Sequence, residues 1–203
     1  MDLPLLLNIK KINGLPVDFK VSKGEIVYLK HGAKSQSLFD LMMKMNSKNS
    51  EGQIFDFDFN KVISSDDLSA IRKQVGYVDP HLFLRLEDTI EANARLYLES
   101  IDITTETALT RFESYRKDLQ VSRGAKVNDL NPVELYCFKI ALVLAKNPKI
   151  LLVENPLSQL NPISYQDQME KIYNLIRNKG ITYIAAISDK QIMQTYPGRY
   201  IEL

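Results

Sequence analysis

Two stretches of this chain place polar side chains where they can do chemistry. The first, KHGAKSQS at 30–37, follows the apolar run GEIVYL at 24–29 and precedes a helix-like segment. A turn between a strand and a helix can offer backbone N–H groups to a phosphate, with a lysine beside it to reach the terminal oxygens. The full pattern for that task is G-x-x-x-x-G-K-[ST]. Here Gly32 is the only glycine of the turn, which is about two residues short of that pattern. Lys34 and Ser35 can stand as its Lys-Ser pair; alternatively Ser37 supplies the last hydroxyl and Ser35 stands in the lysine's place. Either way Gly32, Ala33, Lys34, Ser35 and Ser37 form a residual phosphate site at a helix N-terminus. The plain alternative is a strand-to-helix turn that holds nothing. The second stretch, KILLVENPLSQLNPI at 149–163, is an apolar run that ends in an acid, Glu154. Asn155, a Pro-bounded turn, Asn161 and a second proline follow.

Other reactive side chains are few. Cys137 is the sole cysteine, which excludes an internal disulfide and a multi-cysteine metal site. Its apolar surroundings at 135–145 predict a buried, inert thiol. His31 and His81 are the only histidines, both in loop-like stretches far apart, and read as surface residues. No metal site is expected.

The elements that must position these residues follow from periodicity. Residues 5–12, 17–21, 24–29 and 75–78 read as strands, and 150–153 and 182–187 as all-apolar buried strands. IFDFDF at 54–59 alternates strictly and predicts a strand with one wet face, its phenylalanines in the core. Helices are expected over 38–45, from Ser65, through most of 86–119, over 132–146 with Pro132 in the first turn, and over 165–178. Asn131 is the natural cap of the fourth of these. The order strand, helix, strand at the end implies a βαβ unit. No repeat, linker or low-complexity segment interrupts the chain.

In sum these fragments resemble the ATP-binding domains of ABC transporters. The stretch 149–163 resembles their Walker B strand and D-E-P-T-S-G-L-D-P loop. The turn at 30–37 stands at the Walker A position, LNPVE at 130–134 at the L-S-G-G-Q signature, VGYVDPHLF at 75–83 at the glutamine loop, and IAAISD at 184–189 at the switch histidine. The resemblance covers essentially the whole chain in order. It implies an α/β, P-loop NTPase-like fold: a parallel-sheet core with an antiparallel β part and a helical subdomain. A single domain is expected over 1–203, with its core in 1–78 and 148–203 and the subdomain at about 79–147.

The same resemblance implies a reaction lost. Glu154 stands for the magnesium-site Asp, Asn155 for the Glu that polarises water, Ser188 for the histidine on γ-phosphate, and Asn161 for the loop's Asp. Pro132 has no N–H to donate, Val133 adds bulk, and Glu134 brings negative charge toward a polyphosphate. The glutamine of the shortened loop is missing, and KING at 11–14 offers no aromatic to stack on adenine. A missing general base alone costs roughly 10²–10⁴ in rate. No cofactor is therefore expected; residual ATP and magnesium binding would be weak.

Composition is that of an ordinary globular chain: 203 residues, 45% hydrophobic, 25% charged, net charge +1. Nothing in it favours nucleic acid. No apolar run reaches the ~18 residues of a membrane span, and MDLPLLL lacks the basic start of a signal peptide. A cytoplasmic location, peripheral to the inner face of a membrane, is expected. The implied role is a non-hydrolysing structural or regulatory subunit of a membrane ABC complex. Its implied partners are permease subunits and, in a homodimer or heterodimer, a second ATPase domain. The apolar cluster His81, Leu82, Phe83, Leu84 and Leu86 is a candidate groove for a partner helix, or else core of the helical part. Asn131, Pro132 and Asn161 belong to the dimer face. The alternatives are a slow but genuine ATPase, of lipid-trafficking type if NPIS at 161–164 is read as that group's D-P-I-S, and a soluble scaffold.

Overall fold

The computed structural model of the chain describes residues 4–44, 49–58, 64–79, 81–101, 103, 106–154, 162–188 and 194–203. Two sheets share one layered body. The hairpin β1 (Leu5–Ile12) and β2 (Leu15–Ser22) turns at Asn13 and Gly14, both with positive φ, as an Asn-Gly turn requires. β1 also pairs antiparallel with β4 (Glu51–Ile54), which pairs with β5 (Phe57–Asp58), so the first sheet runs β2-β1-β4-β5. Gly52 lets β4 approach β1: a Cβ there would lie 2.3 Å from the Asn8 carbonyl oxygen.

The expected single strand over 54–59 is instead a hairpin. Phe55 takes φ 52, and its N–H donates to the Leu6 carbonyl at 2.7 Å, which ends the ladder and turns the chain. Phe55 and Phe57 still pack against the core, because a tight hairpin can keep both rings on the buried side.

The second sheet is parallel: β6 (Val75–Val78), β7 (Ile150–Glu154), β8 (Thr182–Ile187), β3 (Ile26–Lys30), β9 (Arg199–Ile201), in that spatial order. Alternation sorts its side chains into two cores. Ile150, Leu152, Ile184, Ala186, Val27 and Leu29 face the antiparallel sheet, α1 (Ala33–Lys44) and α2 (Ser65–Gln74). Leu151, Val153, Tyr183, Ala185 and Ile187 face α3 (Ile90–Ser100), α4 (Glu106–Asp118), α5 (Pro132–Leu144) and α6 (Pro162–Lys179). α5 is apolar almost all round because it is buried almost all round. Phe138 on it meets Phe112 of α4 edge to face at 6.0 Å.

Caps fix the helix starts. Ser64, one residue ahead of the expected start, forms a capping box with Asp67. Thr89 caps α3. α1 begins at Ala33, five residues before the expected 38, so most of the presumed phosphate turn is helix. Only His31 and Gly32 separate it from β3.

Candidate site at the carboxyl edge of the parallel sheet

The parallel register gathers the ends of four strands. Lys30 pairs with Ile187, Glu154 with Ala186, and Val78 with Val153. Asp79, Glu154, Ser188 and the His31–Gly32 turn therefore lie along one edge, where open α/β sheets take ligands. Gly32, Glu154 and Ser188, which the resemblance set at the Walker A, Walker B and switch positions, lie at this edge. Asn155 and Asn161 lie outside the described residues.

Ser35 closes the Gly32 backbone of the turn, while His31 Nδ1 is buried without a hydrogen-bond partner among the described residues. Ser35, 1% exposed, accepts from the Gly32 N–H at 3.1 Å and donates to the Gly32 carbonyl at 2.9 Å. The His31 N–H donates to the Ile187 carbonyl at 3.0 Å, prolonging the sheet. Lys34 is exposed, and its Nζ donates to the Leu203 carbonyl at 2.6 Å. Ala33 is exposed and Ser37 half-buried. Ala33, Lys34 and Ser37 border a cleft of about 190 Å³ whose other walls include Ile12, Leu15 and Val17. Glu154, half-buried, accepts a 2.6 Å hydrogen bond from the Tyr77 hydroxyl.

Ahead of α5, Asn131 Oδ1 accepts from the Val133 and Glu134 N–H groups at 2.9 and 3.0 Å, and Glu134 Oε2 accepts from the Asn131 N–H at 3.0 Å. The Glu134 carboxylate that the sequence places toward a polyphosphate is thus folded back into a capping box. The apolar cluster splits in two. Leu82 and Leu84 are half-buried against the helical core, whereas Phe83 is 87% exposed and Leu86 58%. His81 is exposed, its N–H bound to Asp79 Oδ1 at 2.7 Å. The five residues do not line one groove, because alternate side chains of this extended segment point opposite ways.

No protein-family model matches the chain. The methionine import ATP-binding protein MetN 1 of Salmonella typhimurium is 28% identical over 137 residues, 65% of this chain and 39% of that protein. The chain thus spans about two fifths of the length of such curated relatives. The energy-coupling factor transporter ATP-binding protein EcfA2 of Clostridium acetobutylicum is 28% identical over 178 residues, 83% of this chain and 61% of that protein. Among solved structures, cbiO1 from Clostridium perfringens, described as part of the ABC transporter complex cbiONQ, matches with TM-score 0.77 at 21% identity, covering 95% of this chain and 82% of its own. A dimeric structure of the ATP-binding cassette MJ0796, bound to ADP and Pi, matches with TM-score 0.75 at 20% identity, covering 99% and 93%. The neighbours of this chain are ABC transporter ATP-binding proteins.

The ABC fold implies a nucleotide and a magnesium ion at this edge, and the Gly32, Val133, Glu134 and Glu154 groups, as they stand, do not fit them. Four groups at these positions already have internal partners: the Gly32 N–H has Ser35, the Val133 and Glu134 amides have Asn131, and Glu154 has Tyr77. Pro132 contributes no donor at all. Sequence reasoning missed Tyr77 and Asn93. Asn93, 4% exposed, holds the segment before α3 by accepting from the Arg85 N–H and donating to the Arg85 and Thr89 carbonyls. A sign of Tyr77 was present in the strand parity, since Glu154 shares its face with Ile150 and Leu152, but its use requires the β6–β7 register. Burial pushes the Cys137 thiol up to about 12, in keeping with the inert cysteine expected.

Proposed function

We propose that this chain is a non-hydrolysing ABC-type subunit that works through its surfaces within a membrane-bound complex. The observation that carries this reading is the Ser35–Gly32 pair, which occupies with a side chain the backbone donor a phosphate would need. The capped amides of Val133 and Glu134 at the start of α5 support it. Among the described residues no helix is long and apolar enough to cross a membrane, so contact with the bilayer would come through permease subunits. Phe83 and Leu86 are the docking residues of this proposal, and Asn131 and Pro132 part of a face for a second ATPase domain. The chain is read as one domain, its helical part over about 79–147 and the remainder its core.

The experiment has two arms. Titration with Mg-ATP should give no saturable binding at millimolar nucleotide, and turnover should stay far below the ~1 s⁻¹ at the low end of ordinary enzymes. Phe83→Asp combined with Leu86→Asp should strip membrane subunits from the complex isolated in detergent. Turnover above that level would sink the non-hydrolysing reading, and unchanged co-purification the docking one.

A second reading is a slow ATPase. The relatives named as ATP-binding proteins favour it, and so does Lys34, exposed in the first turn of α1. Loss of measured turnover in Lys34→Ala would establish it.

A further inference from the structure

We propose that the Tyr77 hydroxyl stands in for a divalent cation at Glu154, closing this edge of the sheet with the chain's own hydrogen bond. The inference rests on the non-hydrolysing reading and gives it a specific residue.

The geometry is built from two neighbouring strands. On β7, Ile150, Leu152 and Glu154 share the face toward α1, and on β6 Val75 and Tyr77 share it too. Register sets Tyr77 beside Leu152, two residues short of Glu154, so a side chain as long as tyrosine is needed to reach the carboxylate. It does so at 2.6 Å. Phe39 of α1 meets the Tyr77 ring edge to face, 6.1 Å between centroids, and fixes its direction.

Burial first, then the Glu154 hydrogen bond, then the charges of Glu154, Asp79 and Asp40 push the Tyr77 phenol well above the ordinary tyrosine range. The phenol therefore stays protonated and donates permanently. A half-buried carboxylate is held in its charged form by a nearby positive charge or by a hydrogen-bond donor. Here Glu154 meets the positive end of the Tyr77 O–H dipole, which needs no coordination shell, whereas magnesium requires near-octahedral oxygen ligation. Among the described residues no group of three or more His, Cys, Asp or Glu is placed to hold a metal.

The probe is Mn²⁺ alone, without nucleotide, followed by electron paramagnetic resonance of the free ion and by thermal melting. Wild type should bind no Mn²⁺ at millimolar concentration and show no shift in Tm. Tyr77→Phe, which keeps the ring and removes the donor, should bind Mn²⁺ at least about tenfold more tightly than wild type, the equivalent of one hydrogen bond to a charged group. Tyr77→Phe with Glu154→Gln should lose that gain. A folded Tyr77→Phe that binds no more Mn²⁺ than wild type overturns the proposal. If Tyr77→Phe does not fold, wild type and Glu154→Gln decide. Equal lack of response to Mn²⁺ upholds the proposal, and a stabilisation of wild type that Glu154→Gln abolishes overturns it. Because no ATP is present, Mn²⁺ binding by wild type would sink this inference alone, whereas ATP turnover would sink the non-hydrolysing reading it rests on; the docking reading is decided separately by co-purification.

Discussion

Asn131 shows how one side chain decides what a backbone can do. Its oxygen takes the two amides that open α5, and Glu134 returns the favour to its own N–H. Asn131→Ala should cost about 1 kcal/mol, read as a lower urea midpoint, since a capping oxygen is typically worth that much. The stability loss should be accompanied by no gain in ATP affinity, because Pro132 still withholds a donor. Cys137 gives a second prediction at this scale. Buried, with its thiol pushed up to about 12, it should not react with a thiol reagent such as dithiobis-nitrobenzoate at pH 8 in the native protein, and should react at once in guanidinium.

Between elements, Lys146 fastens the end of α5 to α2. Its Nζ donates to the Arg72 and Val75 carbonyls at 2.9 and 3.0 Å, and burial lowers its pKa to about 8. Unfolded, the same lysine titrates near its ordinary value of about 10.4. Between those values the unfolded chain binds more protons, so stability should rise with pH from about 8 toward 10, by at most about 3 kcal/mol. Above pH 10 the sign reverses. Tyr28 is raised well above the tyrosine range and Tyr97 to about 12, both chiefly by burial, so there the unfolded chain loses protons that the folded one keeps. Urea melts from pH 7 to 11 should show this maximum, and Lys146→Met should flatten its rising limb.

The element scale is also where the sequence was most and least legible. Buried strands 150–153 and 182–187 announce themselves by unbroken apolar runs, and β7 and β8 take those places. α1 did not, because the phosphate pattern reads KHGAKSQS as a turn, while Ser35 folding back on Gly32 lets the helix begin at Ala33. β5 was hidden because alternation is unchanged when a strand doubles back at a residue with positive φ. Tyr77 was illegible for a different reason: its partner lies 77 residues away, and only the parallel register brings them together.

At the scale of the molecule, the segment 81–86 separates surface from core residue by residue. Leu82→Asp should lower Tm, for it places a charge against the helical core, whereas Phe83→Asp should leave Tm unchanged, its ring being 87% exposed. Melting the two variants side by side, without any partner, makes Phe83 usable as a docking probe and disqualifies Leu82. The same exposure marks the apolar surface that this chain offers to others: Phe83 and Leu86 stand on one loop beyond β6, on the side of the parallel sheet where its strands end.

The sheet order carries a consequence for biosynthesis. β3 leaves the ribosome early, yet both of its neighbours, β8 and β9, come from the last quarter of the chain. Even the turn before it waits: the Gly24 N–H finds its acceptor, Thr182 Oγ1, 158 positions downstream. Until residue 187 has emerged Val27, Tyr28 and Leu29 lack both neighbours, and until residue 201 one edge stays open, an interval in which the nascent chain is exposed to pairing with its own kind.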